Sequence, residues 1–197
     1  PPIISALTEV SWRAGFRKEA ICYAARGLLQ EGAPAGASLN PVITSVRVLT
    51  SLGATDLALE AVRLKIPEAM QSRSASIAHV LGLLYFVKND HEKFIKNEIA
   101  ALESFDLDEA IKAEIDLLRR LIAEPYDVTL SGKDRESMIF WPPELRELAI
   151  GSNWDQAEAA ELRTLSQKFE KKIIDAGLAD EEPWWSNFTW LYNLYRY

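Results

Sequence analysis

Ala14-Gly15-Phe16-Arg17-Lys18-Glu19-Ala20, Leu52-Gly53-Ala54-Thr55-Asp56-Leu57-Ala58 and Lys88-Asn89-Asp90-His91-Glu92-Lys93-Phe94 share one pattern. Each closes a helical stretch and opens the next. A Gly or Asn precedes by five residues a position expected to face a neighbouring helix: Ala20, Ala58 and Phe94. Those positions lie 38 and 36 residues apart. A recurrence of that length is the mark of helix hairpins stacked side by side, each burying the face its neighbour cannot bury alone.

Working outward, helical periodicity dominates and no stretch alternates as a strand would. The first pair is expected over residues 3–14 and 16–31, broken at Gly15, with Ala20, Ala24 and Leu28 on one face. Gly and Pro make Glu31–Ser38 a loop. Asn40 and Pro41 suit a helix start, because proline loses nothing where the N–H is free. Gly53 suits a left-handed C-cap. Pro67 should end the next helix, and Ser74 can begin another that carries the apolar run Val80–Val87. Asn89-Asp90 makes a turn, and Asp106 or Asp108 opens a helix with the stripe Ile111, Ile115, Leu118 and Ile122. Composition changes after Glu124. Residues 125–143, with Pro125, Gly132, Pro142 and Pro143, read as an irregular connector with room for one short ordered piece, followed by a short helix from Pro143 and a long one from about Trp154 to Ala176.

The expected fold is therefore all-α, with three parts. Residues 1–124 form a stack of antiparallel hairpins, 125–143 a connector, and 144–197 a C-terminal helical unit with an aromatic tail. Residues 184–197 hold seven of the chain's 19 aromatics. Trp184, Trp185, Phe188, Trp190 and Tyr195 are candidate docking residues of that tail. It can cap the stack, join a subunit or further domain, or, least favoured, meet a membrane surface.

The stretch Leu81–Leu102 resembles a tetratricopeptide repeat. Leu81, Gly82 and Tyr85 stand where that family has its Leu-Gly pair and aromatic. Asn89 and Asp90 match its turn, and Ala101 and Leu102 its closing pair. The resemblance implies that Gly82 permits close helix approach, that Tyr85 fills the wedge between the hairpin's arms, and that Ala101 lets the next unit stack. Phe94 and Glu98 depart from the pattern, where the family has a small residue and an aromatic. The two earlier units keep Gly15 with Ala20 and Gly53 with Ala58 but lack the Leu-Gly pair. The likeness covers residues 3–122 with one fair repeat and two degenerate ones. It implies a groove lined by first helices, with Arg13, Arg47, His79, Leu83 and Phe86 on it. The charged clamp by which some members grip C-terminal carboxylates is not reproduced.

A net charge of −7 disfavours sequence-independent nucleic-acid binding, which needs a basic face to release counterions. No run reaches the roughly 20 apolar residues of a membrane span. One cysteine, Cys22, makes no internal disulfide; it is expected to be a small buried hydrophobe in a reducing, cytoplasmic setting. The start at Pro1-Pro2, without Met, is compatible with processing or with excision from a longer protein.

No motif carries catalysis. His79 and His91 lack companions at metal-ligand spacing, and Ser131-Gly132-Lys133 lacks the remainder of a phosphate loop. Asn187-Phe188-Thr189 fits a glycosylation pattern only by chance. No catalytic residue, metal or cofactor is assigned. Arg13, Arg17, Lys18 and Arg26 form either a solvated face or a wall for an acidic peptide. The favoured function is an interaction module that binds a peptide or helix, an adjoining domain or a second copy. The alternative is an enzyme or small-molecule binder with a pocket between stack and C-terminal unit, lined by His79, Tyr126, Trp141 and Trp154.

Overall fold

The computed structural model describes residues 2–29, 40–67, 71, 73–123, 130–151 and 156–176. Among them every regular element is helical and no strand occurs. In chain order these are α1 Pro2–Arg13, α2 Arg17–Leu29, α3 Asn40–Ser51, α4 Thr55–Lys65, α5 Ala75–Val87, α6 His91–Leu102, α7 Glu109–Ala123, α8 Gly132–Ser137, a 3-10 turn Met138–Phe140, α9 Pro143–Gly151 and α10 Gln156–Asp175. The aromatic tail, Tyr126, Trp154, Gly177 and the Glu31–Ser38 loop lie outside the described residues.

The three quoted turns have one geometry. Gly15, Gly53 and Asn89 sit at φ of 79°, 74° and 60°, the left-handed region in which a side chain is costly and asparagine the least disfavoured. Each donates its N–H three residues back, to Trp12, Thr50 and Phe86, at 3.0 Å in all three cases. The residue after each reaches five back: Phe16 to Ser11 at 2.8 Å, Ala54 to Leu49 and Asp90 to Tyr85 at 2.9 Å. These pairs satisfy the last carbonyls of the first helix and reverse the chain. Ala20, Ala58 and Phe94, five residues after each left-handed position, are all fully buried.

The hairpins α1/α2, α3/α4 and α5/α6 stack, and the first helices touch in series: α1 on α3, α3 on α5, α5 on α7. Helix α10 closes the far end against α6 and α7. Two apolar clusters fill the interior. One joins α2, α3, α4 and one side of α5; the other joins the opposite side of α5 to α6, α7, Met138, Trp141, α9 and α10. Helix α5 is thus covered on both sides, as its unbroken apolar run requires, and Tyr85 packs against both clusters. The α7 stripe Ile111, Ile115, Leu118 and Ile122 is fully buried, at about 1.5–3 kcal/mol per side chain.

Local signals set most boundaries. Pro67 ends α4 through the extended Ile66 before it. Asp90 accepts from Lys93 N at 3.2 Å and Asp108 from Ile111 N at 2.9 Å, capping α6 and α7. Ser74 makes no side-chain cap; Asp106 instead accepts from Ala75 N at 2.7 Å, so the α6–α7 connection caps α5.

Two expectations change. Residues 130–143 do not merely connect. Ser131 and Asp134 form a capping box that starts α8. Met138 and Trp141 enter the second cluster, which runs without a break from Ala75 to Phe169. Cys22 is exposed. It lies two positions from both Ala20 and Ala24, and at 3.6 residues per turn that places it on the far side of α2.

Candidate functional site

The five residues expected to line a groove do not share an open face. Leu83 and His79 are fully buried. Phe86 is half-buried, edge-on to Phe94 at 5.2 Å and stacked towards His91 at 6.4 Å, near the α5–α6 turn. Arg13 is exposed and donates from Nε to Glu9 at 2.9 Å. Arg47 alone faces the inner side of the stack, and there it is engaged.

What engages it is the chain itself. The 3-10 turn Met138–Phe140 packs on α3. The Phe140 ring stacks on Trp12 of α1, with centroids 4.8 Å apart and planes at 17°, and the Arg47 guanidinium lies 4.3 Å from the Phe140 centroid. Trp141 follows, fully buried. Arg146 of α9 then donates from Nη2 to Ser51 O at 2.7 Å, while Arg17 of α2 donates to Leu52 O at 2.7 Å. Two cations thus hold the last carbonyls of α3, where the helix dipole favours positive charge. The inner face over α1 and α3 is therefore filled in cis. Spacing could not show this, because Phe140 and its partners are about a hundred positions apart in the chain.

Beneath this contact lies a buried polar cluster built from four helices. Arg47 of α3 donates from Nη2 to Glu114 Oε1 of α7 and reaches Ser76 Oγ at 3.5 Å. Glu114 Oε2 lies 3.3 Å from His79 Nε2, an ion-pair separation without hydrogen-bond alignment. His79 Nδ1 donates to the Glu98 carboxylate of α6, 2.9 Å from Oε2 and 3.1 Å from Oε1. His79 and Glu98 are completely enclosed and Glu114 nearly so. Burial pulls the His79 pKa down, but Glu98 and Glu114 on its two nitrogens override it and hold the ring up at about 9. Burial pushes Glu98 up. For Glu114 burial acts the same way, and His79 and Arg47 outweigh it to hold the carboxyl below its usual value.

Glu98 and Glu114 were legible as more than surface charges. Glu98 stands four residues after Phe94 and three before Ala101; Glu114 stands three after Ile111 and four before Leu118. Both spacings place a carboxylate on a buried helix face. An imidazole between two carboxylates has the parts of a proton relay. Full enclosure keeps any substrate from it, and its work is to tie α3, α5, α6 and α7 together. Losing one partner of such a set costs about 3–5 kcal/mol.

Other candidates resolve simply. His91 Nε2 pairs with Asn89 Oδ1 at 3.1 Å in an exposed turn. Among the described residues, no group of three His, Cys, Asp or Glu is placed to hold a metal ion, and no helix is long and apolar enough to cross a membrane. A cavity of about 450 Å³ is bordered by Arg63, Leu64, Lys65, Ile66, Pro67 and Gln71 at the end of α4, away from the polar cluster.

One surface feature escaped the sequence reading. Ile3, Leu7 and Val10 of α1 are 70%, 39% and 63% exposed. Their i, i+4, i+7 spacing puts them on one face, turned from the buried Thr8, with the buried Ser11 one turn beyond Leu7 at its edge. Phe16, just beyond α1, is also exposed. No family model, curated protein or solved structure matches the chain.

Proposed function

We propose that this chain is a non-catalytic interaction module that docks an amphipathic helix of another protein, apolar on one side and acidic at its flanks, on the outward face of α1. The observation that carries the reading is the open stripe Ile3, Leu7 and Val10. A contiguous apolar helix face left in water is the usual sign of a docking surface. The stacked hairpins, with their repeated turns and tetratricopeptide-like third unit, support it, since such scaffolds present faces to other chains. The inner face is occupied in cis, which leaves the outer one.

Charge selects the occupant. The hairpin Pro2–Leu29 carries Arg13, Arg17, Lys18 and Arg26 against Glu9 and Glu19, a net charge of +2 in a chain of −7. Arg13, three residues beyond Val10, borders the stripe. Acidic flanks on a partner helix complement this setting, whereas a second copy would press like charges together.

The test uses two labelled synthetic helices, each with leucines at i, i+4 and i+7, one with Glu flanks and one with Lys flanks. Fluorescence anisotropy is expected to give micromolar binding of the acidic helix, roughly tenfold weaker binding of the basic one, and loss of binding in Val10→Glu. Equal binding of both helices, or indifference to Val10→Glu, overturns the reading. Sedimentation that shows a dimer split by Val10→Glu assigns the face to a second copy and overturns the acidic-helix reading too.

A further inference from the structure

We infer that residues 184–197 of this chain cover the α1 face in cis and that a partner helix must displace them, an inference that rests on the reading of that face just given. The described residues expose ten large apolar side chains. Four of them, Ile3, Leu7, Val10 and Phe16, lie along α1 and its turn, while the other six are spread over five separate segments. The end unit of a repeat stack needs a cover for its outer face. The sequence carries a segment of the right pattern. Trp184, Phe188, Leu191 and Tyr195 recur at i, i+4, i+7 and i+11, the spacing that Ile3, Leu7 and Val10 show on α1. As a helix, residues 184–197 would measure about 21 Å, against about 18 Å for α1.

Charge sets the direction. Asp180, Glu181 and Glu182 precede the stripe, and with Arg196 they give residues 177–197 a net charge of −2. The first hairpin carries +2, with Arg13, Arg17 and Lys18 gathered at its turn. Helix α10, the nearer surface in sequence, has four cations and four carboxylates and so no net charge to attract the run. The acidic run therefore meets the α1–α2 turn, and the stripe runs back along α1 towards Ile3, antiparallel to it. The connection is long enough. Phe169 packs on Phe94 in the first turn of α6, beside the α5–α6 turn, and α10 ends within about 9 Å of Phe169. The α5–α6 turn is tied to α4 by Lys88 and Asp56 at 2.7 Å, and the α3–α4 turn to α2 by Arg17 on Leu52 O. Two steps between packed first helices come to roughly 16–20 Å. The seven residues 177–183 reach about 23–25 Å when extended, and the acidic run needs to meet only the tips of Arg17 and Lys18.

The test uses the full chain, nitrogen-15-labelled, with Cys22→Ser and Asn193→Cys carrying a nitroxide spin label. Amide resonances of Ile3–Val10 are expected to broaden, while those of Leu165 and Phe169 stay sharp. Broadening at α10 and not at α1 would seat the segment on the far end of the stack and overturn the inference. Broadening of α1 only between molecules, in a mixture of spin-labelled and nitrogen-15-labelled protein, assigns the segment to a second copy and overturns it as well. The acidic leucine helix described above then measures the masking. It should bind Phe188→Asp about tenfold more tightly than the wild type, because the competing segment no longer seats. Equal affinity for both proteins overturns the masking and leaves the partner reading intact. No binding to either protein overturns the partner reading and the masking together. Should Phe188→Asp fail to fold, the spin label decides by itself.

Discussion

A β-carbon on Gly82 would stand 2.9 Å from Cδ of Glu98, so the Glu98 carboxylate fills the space that any larger residue at 82 would claim. The glycine admits a carboxyl group into the α5–α6 contact, where it meets His79. Gly82→Ala should therefore destabilise by about 2–4 kcal/mol, combining overpacking with displacement of a buried group from its hydrogen-bond partner. In a Glu98→Ala background the same change should cost much less. Urea midpoints of the four proteins in this cycle measure the coupling. Equal costs in both backgrounds would separate the two residues.

His79 makes stability depend on alkaline pH. Its folded pKa is about 9, above the unfolded 6.5. The stabilisation is fully present below pH 6.5 and is lost as pH rises through 9. It amounts to about 3 kcal/mol across that window. Denaturant unfolding from pH 6 to 10 should show that decline in the wild type, with a flatter profile in His79→Gln. Parallel profiles would mean that the ring is neutral in the folded state.

Trp12 and Phe140 join the first helix to the C-terminal third. Replacing either with Ala should cost about 2–4 kcal/mol, and the double replacement should fall short of the sum by about 0.5–1.5 kcal/mol, the worth of an aromatic pair. Strict additivity would show that the 3-10 turn does not rest on α1.

The turns were legible because their determinants are local. A left-handed residue, its two backward hydrogen bonds and the buried position five residues later all lie within one short window, so Gly15, Gly53 and Asn89 announce themselves. The same holds for the α7 stripe. The family-like pattern at Leu81–Leu102 singled out Tyr85, which packs against both clusters. Its two departures proved to be working parts: Phe94 receives Phe169 of α10, ring centroids 5.8 Å apart, and Glu98 pairs with His79. The expected groove was not legible as closed. Its cover, Phe140 and Trp141, comes from a segment whose prolines and mixed charges read as a linker. Spacing on α2 could have exposed Cys22, and spacing on α1 could have exposed the Ile3–Val10 stripe.

The end of α3 carries a consequence for synthesis. Leu52 O meets its donor 35 residues back in the chain, but Ser51 O waits for Arg146, 95 residues ahead. As the protein emerges from the ribosome, the first two hairpins are complete well before the segment that finishes them. In that interval Trp12, Arg47 and the open carbonyl face the cell unshielded. These groups of the nascent N-terminal half stay open for as long as translation takes to pass from the end of α4 to Arg146.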